Sequence, residues 1–403
     1  MFKLALRNIF RQKMRSSMTL GAITFGVLSL ILSGGFVRDV TFQLGEALIH
    51  SQSGHLQISK KGYFSYGSRS PEKFTIDNPN ELQQQITKIS GVNATMSRIS
   101  FSGLLNNGRT DWPIIGEGVE PDKEAKLGSF LQIVSGRKLT EKDQFGLVVG
   151  YGVARALNIA PGDRVSLLLN TAGGALNNVD LEVVGVFQSF SKDFDARAVR
   201  LPIAAAHDLL RSTRINSVVV LLAQTADTQR VAGQISKNVL NDEFELKTWQ
   251  QLNDFYEKTV ALYDAQFGFL QFVILIMVVL SVSNSINMTV FERIGEFGTM
   301  MSLGNRRTTV TQLIVAESAL LGLIGSSAGV IIGAALASII SVIGIPMPPP
   351  PGANLGYTAH IQLIPLVILA SFTIGFFATV LAALIPAFRI TRIPIVDALR
   401  QMV

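Results

Sequence analysis

Four long uncharged apolar runs punctuate the chain: Ser16 to Val37, Ala265 to Phe291, Ser318 to Ile345, and Ile361 to Phe388. Each is long enough, as a helix rising 1.5 Å per residue, to cross a hydrocarbon core of ~30 Å. Between the first and second runs the pattern changes. Apolar positions there recur every second residue or every third to fourth, in short stretches separated by turn residues. The predicted fold is a membrane protein with four transmembrane α-helices and one α+β domain inserted between spans one and two.

Within the inserted domain, Gly54 to Ser59 (GHLQIS) alternates as a strand does. Asn78-Pro79-Asn80-Glu81 predicts a helix start, with Asn78 as cap, Pro79 at the first helical position and Glu81 completing a capping box. Leu82, Ile86 and Ile89 continue at helical spacing. Asn106-Asn107-Gly108 reads as a hairpin turn, and Pro161-Gly162-Asp163 introduces the strand VSLLL. Residues 183–187 and 218–222 read as buried strands. Val40, Leu44, Ala47 and Leu48 prolong the stripe of span one, and Leu252, Phe255, Thr259 and Leu262 form one leading into span two. Two such stripes either pack as a stalk or serve only as linking helices.

Composition and charge agree with a membrane location. Hydrophobic residues make up 48% and charged residues 16%, against roughly 25% charged in a soluble protein. The net charge of +6 gathers at the ends of the apolar runs, which argues against nucleic acid as a partner. Lys3, Arg7, Arg11, Lys13 and Arg15 precede span one; Arg293, Arg306 and Arg307 separate spans two and three; Arg389, Arg392 and Arg400 follow span four. The loop IPMPPPPGANLGYTAH between spans three and four has no Lys or Arg. By the positive-inside rule both termini and the middle loop are cytoplasmic, and the inserted domain is extracytoplasmic. No small-residue cleavage pattern follows span one, so an uncleaved anchor is expected.

Several chemistries are not signalled. There is no cysteine, which excludes disulfides, thiolate metal sites and a cysteine nucleophile. His50, His55, His207 and His360 show no metal spacing, and Asp193 and Asp195 read as a solvated loop. Gly325-Ser326-Ser327-Ala328-Gly329 formally matches G-x-S-x-G, but a hydrolase elbow needs a strand-turn-helix context, and this match lies inside span three. No G-x-x-x-x-G-K-[ST] loop occurs. The chain is therefore expected to be non-catalytic and to bind no metal or cofactor. Gly322, Gly325, Gly329 and Gly333 fall on one narrow helical face, as close packing between membrane helices requires. Glu317, the acidic residue deepest in apolar sequence, is expected to pair with a neighbouring arginine.

FERIGEFGTMMSLGNRR, between spans two and three, is the most informative stretch. Phe291, Ile294, Phe297 or Gly298, and Met301 follow the helical period, with Glu292, Glu296 and Thr299 opposite. Gly304-Asn305 reads as a C-terminal cap. A short amphipathic helix of this kind suits either a cleft in a partner protein or the lipid surface.

This segment, the lead-in LALRNIFRQKMRSSMTLGAI and the closing IPAFRITRIPIVDALR, in this order around one large outer domain, resemble the MacB/FtsX/LolC-LolE class of ABC transporter permeases. GHLQISKKGYF, LVVGYGVARALNIAPGDRV and VVGVFQSFSKDFDARAVRLPIAAAHDLL are similar to the outer domain of the LolC/LolE branch. The resemblance implies a non-catalytic permease subunit of a bacterial inner membrane, with a periplasmic domain. Its coupling helix would meet a dimer of ABC ATPase subunits, which bind ATP and Mg2+ in the partner chain. On that carry-over Glu292, Arg293, Glu296, Gly298, Leu303, Gly304, Arg306 and Arg307 contact or position the ATPase. A second permease copy, identical or related, is implied, together with membrane lipid and room for a periplasmic carrier protein. The cargo implied is an amphiphile, with lipoprotein favoured; the alternative is an FtsX-like transmitter that regulates a cell-envelope enzyme without transport. The expected layout is a lead-in, span one and stalk over 1–50, a MacB-like domain over 51–248, and stalk and span two over 249–291. The coupling helix (292–308), span three (309–345), a periplasmic loop (346–360), span four (361–388) and a cytoplasmic tail (389–403) follow.

Overall fold

The computed structural model describes residues 7, 8, 11, 13–67, 70–127, 131–171, 173–349, 353, 354 and 356–391. Lys3, Arg392, Arg400 and the closing motif after Thr391 lie outside the described residues, as does the side chain of Phe255. Counting helices of at least seven residues, the chain order begins with α1 (Lys13–Leu48), a π-helical turn (Ile49–Ser53), β1 (Leu56–Lys60) and α2 (Pro79–Thr87). Next come β2 (Val92–Asn106), β3 (Asp111–Val119), α3 (Pro121–Leu127), β4 (Gln132–Gly136), β5 (Gly146–Gly150) and α4 (Tyr151–Leu157). β6 (Arg164–Asn170), β7 (Leu176–Gln188), β8 (Ala198–Pro202), α5 (Ile203–Leu210), β9 (Ser217–Leu222), α6 (Thr228–Asn238) and β10 (Phe244–Thr248) complete the inserted domain. The remaining helices are α7 (Asp254–Glu292), α8 (Ile294–Ser302), α9 (Arg307–Ile343) and α10 (Pro365–Thr391).

Contacts divide the chain into a membrane unit (Met1–Thr41, Thr259–Pro346 and Thr358–Val403) and an outer unit (Phe42–Lys258 and Met347–Tyr357). In the outer unit the strands form one mixed sheet in the order β10-β1-β9-β2-β3-β8-β5-β7-β4, with β6 joining β2 to β7. Through β6 the pairings β2-β3-β8-β5-β7-β6 close into a ring, which removes exposed edges along that part of the sheet. Among the described residues, β3 with β8 and β5 with β7 run parallel. β9 (SVVVLL) is buried throughout because it lies between β1 and β2. β6 alternates buried and exposed residues because only one of its faces meets the core. Leu105, Ile114, Val149, Leu167, Val183 and Leu201 fill that core, with Leu82 and Ile86 of α2 and Val231 and Ile235 of α6 packed in.

Three local expectations change. Helix α2 starts at Pro79 behind Asn78, but the Asn78 side chain makes no capping hydrogen bond. The reciprocal capping box forms instead at Thr248 and Gln251, opening a single turn (Trp249–Leu252). That turn ends at Asn253, whose ψ of 76° is not helical, so Leu252 is cut off from the stripe that continues in α7. Asp195 is not in a solvated loop. It is buried at the end of a one-turn helix (Lys192–Asp195), where it accepts the Ser189 amide at 3.0 Å and the Asn354 side chain. Burial pushes its carboxyl above the ordinary range despite those donors. Among the described residues no group of His, Asp and Glu is arranged to hold a metal ion.

Four helices among the described residues are long and apolar enough to cross a membrane: Lys13–Ser53 (α1 with its π turn), Tyr256–Glu292, Arg307–Ile343 and Pro365–Arg389. At 36 residues, α1 is about 54 Å long, well beyond a hydrocarbon core of ~30 Å. The G-x-S-x-G match lies within α9, in helical conformation throughout.

Candidate coupling site

The segment between α7 and α9 is organised around Arg293. Helix α7 ends at Glu292, Arg293 leaves helical geometry at φ −101° and ψ 10°, and α8 starts at Ile294. The buried face of α8 is Ile294, Phe297, Gly298 and Met301, the stripe that the sequence periodicity predicts. These residues join one core with Ile286 and Val290 of α7, Val310, Leu313 and Ile314 of α9, and Ala383 and Ala387 of α10. The helix stops because Gly304 takes a left-handed φ of 94°, and the Gly304 and Asn305 amides close onto the Met301 and Met300 carbonyls. Arg306 then caps the start of α9.

Arg293 is 7% exposed, and two carboxylates pair its charge. Its guanidinium donates to Glu317 at 2.7 Å and to Glu296 at 3.0 Å, and it stacks over the Phe297 ring at 5.0 Å. Burial works against its charge, but Glu317 and then Glu296 outweigh that and raise its pKa. For Glu296 the desolvation is likewise outweighed, by Arg293 and Arg11, and its carboxyl lies below the usual range. Glu317 therefore has the arginine partner anticipated for it. Arg11 pairs with Glu296, Arg15 grips Glu292 with two nitrogens, and Asn8 donates to Glu317 at 2.6 Å.

The residues of the predicted contact set fall into two groups. Arg293 and Gly298 are buried inside the membrane unit, and Glu292 and Glu296 are engaged by arginines of the lead-in. Leu303, Gly304, Arg306 and Arg307 are exposed, Leu303 at 80%. The exposed group forms one surface turn, and the helix before it is tied to α9 through Arg293 and Glu317.

The glycine face of α9 meets two helices. A side chain added at Gly325 would strike Ile23, one at Gly329 would strike Val27 and the Thr24 carbonyl, and one at Gly333 would approach Ile31 and Leu28, all on α1. Gly322 instead faces Thr379 of α10.

Two family descriptions match the chain: the MacB-like periplasmic core domain over residues 16–238, and the FtsX-like permease C-terminal domain over residues 268–395. The chain belongs to the MacB/FtsX family of ABC transporter permeases. An uncharacterised ABC transporter permease of Methanocaldococcus jannaschii is 23% identical over 353 residues, covering 84% of each chain. The lipoprotein-releasing system transmembrane protein LolC of Neisseria meningitidis is 20% identical, covering 79% of this chain and 76% of that one. The uncharacterised permease YknZ of Bacillus subtilis is 25% identical, covering 85% and 87%. The chain spans about half the length of relatives described as ATP-binding/permease proteins, 51% for PvdT of Pseudomonas aeruginosa and 53% for MacB of Bartonella henselae. The solved periplasmic region of MacB from Actinobacillus actinomycetemcomitans aligns with a TM-score of 0.37 at 16% identity, covering 52% of this chain and 95% of that one.

As a MacB/FtsX permease, the chain passes between the outer and membrane units through α1 and α7, and Arg293, Glu296 and Glu317 lie inside the FtsX-like match. The relatives named for different cargoes are similarly distant, so identity does not single out the LolC/LolE branch. Sequence reading missed the pairing of Arg11 and Arg15, which it took only as orientation charges, and that of Asn8, which it did not single out. The available signal was their spacing, since positions 8, 11, 15 and 19 share one helical face.

Proposed function

We propose that this permease couples ATP hydrolysis by a separate ABC ATPase dimer to outward movement or release of an amphiphilic substrate, with lipoprotein favoured. In this reading both termini and residues 292–308 are cytoplasmic, and the outer unit is periplasmic. ATP and Mg2+ are bound by the partner, and two permease copies flank the substrate path. The observation that carries the reading is the exposed turn Leu303-Gly304-Asn305-Arg306-Arg307 on a helix braced from within by Arg293. An isolated lipid-resting helix does not require such a brace, whereas a handle that bears load does. Lipoprotein is favoured because two relatives are named lipoprotein-releasing proteins, and because extraction needs an energy source. Withdrawing one acyl chain of ~14 methylenes from a bilayer costs ~11 kcal/mol at ~0.8 kcal/mol each.

The test is affinity purification of the full chain in mild detergent, with identification of the proteins and lipids that accompany it. An ATPase with a phosphate-binding loop and an acylated protein are expected. The paired change Leu303→Asp with Arg306→Glu should lower ATPase recovery at least about tenfold, since a buried hydrophobic anchor and a charge are both lost, while the permease stays monodisperse. Undiminished recovery overturns the docking surface. Recovery of a cell-wall hydrolase in place of the acylated protein would replace transport by mechanical signalling. An exterior location of residue 306 in labelled intact cells would overturn the orientation.

A further inference from the structure

The lead-in to α1 carries four polar residues at positions 8, 11, 15 and 19, within about 80° of one helical face at 100° per residue. Each one meets a polar partner on α7, α8 or α9. Asn8 donates to Glu317 at 2.6 Å, Arg11 pairs with Glu296, Arg15 with Glu292, and Thr19 shares a hydrogen bond with Ser285. Among the partners, Ser285 and Glu292 are seven residues apart on one face of α7, and Glu296 lies in the first turn of α8, beyond the break at Arg293. Arg293 joins the ladder crosswise by binding both Glu296 and Glu317. Continuing along α1 in steps of four, Ile23, Val27 and Ile31 seat against Gly325, Gly329 and Gly333 of α9.

Chain connectivity makes this arrangement consequential. Helix α8 is joined covalently to α7 and α9, so any displacement of it reaches those two helices directly. Two helices cross into the outer unit, α7 and α1; α7 adjoins α8 in the chain, whereas α1 lies almost three hundred residues away in sequence. A charge placed only for membrane orientation needs no fixed partner. Here both arginines have one, and the Arg15–Glu292 pair uses two nitrogens and two oxygens, the geometry that fixes orientation as well as distance.

We propose that Asn8, Arg11 and Arg15 form a strap that passes displacement of the coupling helix into α1. These are positioning residues for the coupling proposed above, and the strap rests on that reading for its function though not for its existence. The apolar packing of α1 on α9 resists separation of the helices, whereas the ladder resists sliding along their length, because each rung fixes a register.

The experiment uses the full chain with the ATPase that co-purifies with it. With no native cysteine, Phe42→Cys gives a unique label on an exposed position of α1. The readout is the change in label signal between nucleotide-free protein and protein trapped with ATP and vanadate. Arg15→Glu should leave ATPase recovery intact and reduce that change about fivefold, the scale expected for loss of a partly exposed ion pair. Adding Glu292→Arg should restore it, which a folding defect would not do. A full-sized change in Arg15→Glu, or no restoration in a double variant that still recovers the ATPase in full, overturns the strap. If the unaltered chain recovers no ATPase or shows no change, the docking reading fails instead. The strap is then judged alone by Arg11→Cys with Glu296→Cys: rapid cross-linking in native membranes supports it, and absence of cross-linking overturns it.

Discussion

The two units each contain a buried network of arginines and carboxylates, and the contrast between the networks separates holding from transmitting. In the outer unit Arg98 (β2) donates to Glu124 (α3) at 2.6 Å, and Arg200 (β8) donates to Glu117 (β3) at 2.8 Å, with all four residues buried. The same guanidinium groups reach carbonyls of the π-helical turn after α1, Arg98 to Gln52 at 2.6 Å and Arg200 to Ser51 at 3.4 Å. Burial pushes the Glu117 carboxyl up, but Arg98 and Arg200 outweigh it, and it lies below its ordinary value. In the ladder of the membrane unit Arg293 and Glu317 are comparably buried, but the outer rungs are partly open to solvent, Arg11 most of all. A dry four-charge cluster on a sheet has one arrangement, because any other strands a charge. A half-wet ladder between helices can lose and regain rungs at little cost. The first suits an anchor for the end of a helix, and the second suits a joint that takes up load.

Substitutions can break this contrast, and their effects should fall in a definite order. The largest is expected for Arg98→Ala, which strands Glu124 and the Gln52 carbonyl in a dry site and should cost about 3–5 kcal/mol. Both tryptophans of the chain, Trp112 and Trp249, belong to the outer unit, so tryptophan fluorescence during thermal unfolding follows that unit selectively. An unfolding midpoint equal to that of the unaltered chain would show the cluster to be dispensable.

Acid should come next. The buried His55 accepts the Leu222 amide through Nδ1 and faces the Thr225 hydroxyl through Nε2, an arrangement suited to a neutral ring. Burial first, and then the charge of His50, bring its pKa down from 6.5 to about 4, although Glu46 opposes the shift. A depressed histidine is neutral in the folded protein while the unfolded chain takes up a proton. Its contribution is therefore complete above pH 6.5 and is lost as pH falls through about 4, amounting to up to about 3 kcal/mol. The tryptophan-monitored midpoint should drop over that interval, and His55→Asn should flatten the drop. An unchanged slope in the variant would assign the acid sensitivity to other groups.

In the membrane unit Gly329→Val should cost about 1–3 kcal/mol by overpacking, because an added Cβ would lie 2.7 Å from the Cβ of Val27. Thermostability measured by size exclusion in detergent checks this, and Gly21→Ala, where nothing lies within 4 Å, serves as the tolerant control. The smallest effect belongs to Arg11→Gln. Removing the exposed partner of Glu296, which Arg293 still holds, should change stability by less than about 1 kcal/mol, and the change should shrink further in high salt. A loss as large as that of Arg98→Ala would abolish the distinction between the two networks.

Much of this architecture is legible in the amino-acid order alone. Each of the four apolar runs yields a long helix, though the third outlasts α9 by two residues and the fourth begins four residues before α10; the Asn106–Gly108 turn joins β2 to β3, and the amphipathic period of 294–301 faces inward as its pattern requires. These features are local, and composition or periodicity over ten to twenty residues encodes them. The features that sequence misleads on are also of one kind. Asp195 looks like a loop acid beside Asp193, and its burial depends on Ser189 and on Asn354, 159 residues away in sequence. Asn78 has the right neighbours for a cap, but the side chain does not make the bond.

The sequence by itself determined the class of molecule, the number of apolar helices, the presence of an inserted α+β domain and the amphipathic helix that carries the coupling reading. Each follows from free energies that a residue and its near neighbours set: transfer of apolar surface, helical periodicity, and the conformational freedom of glycine. Only the tertiary structure decided which charges meet. Arg11 and Glu296 are 285 residues apart and Arg98 and Arg200 are 102 apart. A side chain's partner at such separations depends on how helices and strands are laid side by side, and no local pattern records that. The same arginine codes can therefore mark a cytoplasmic flank, brace a helix or lock a sheet, and burial selects among them.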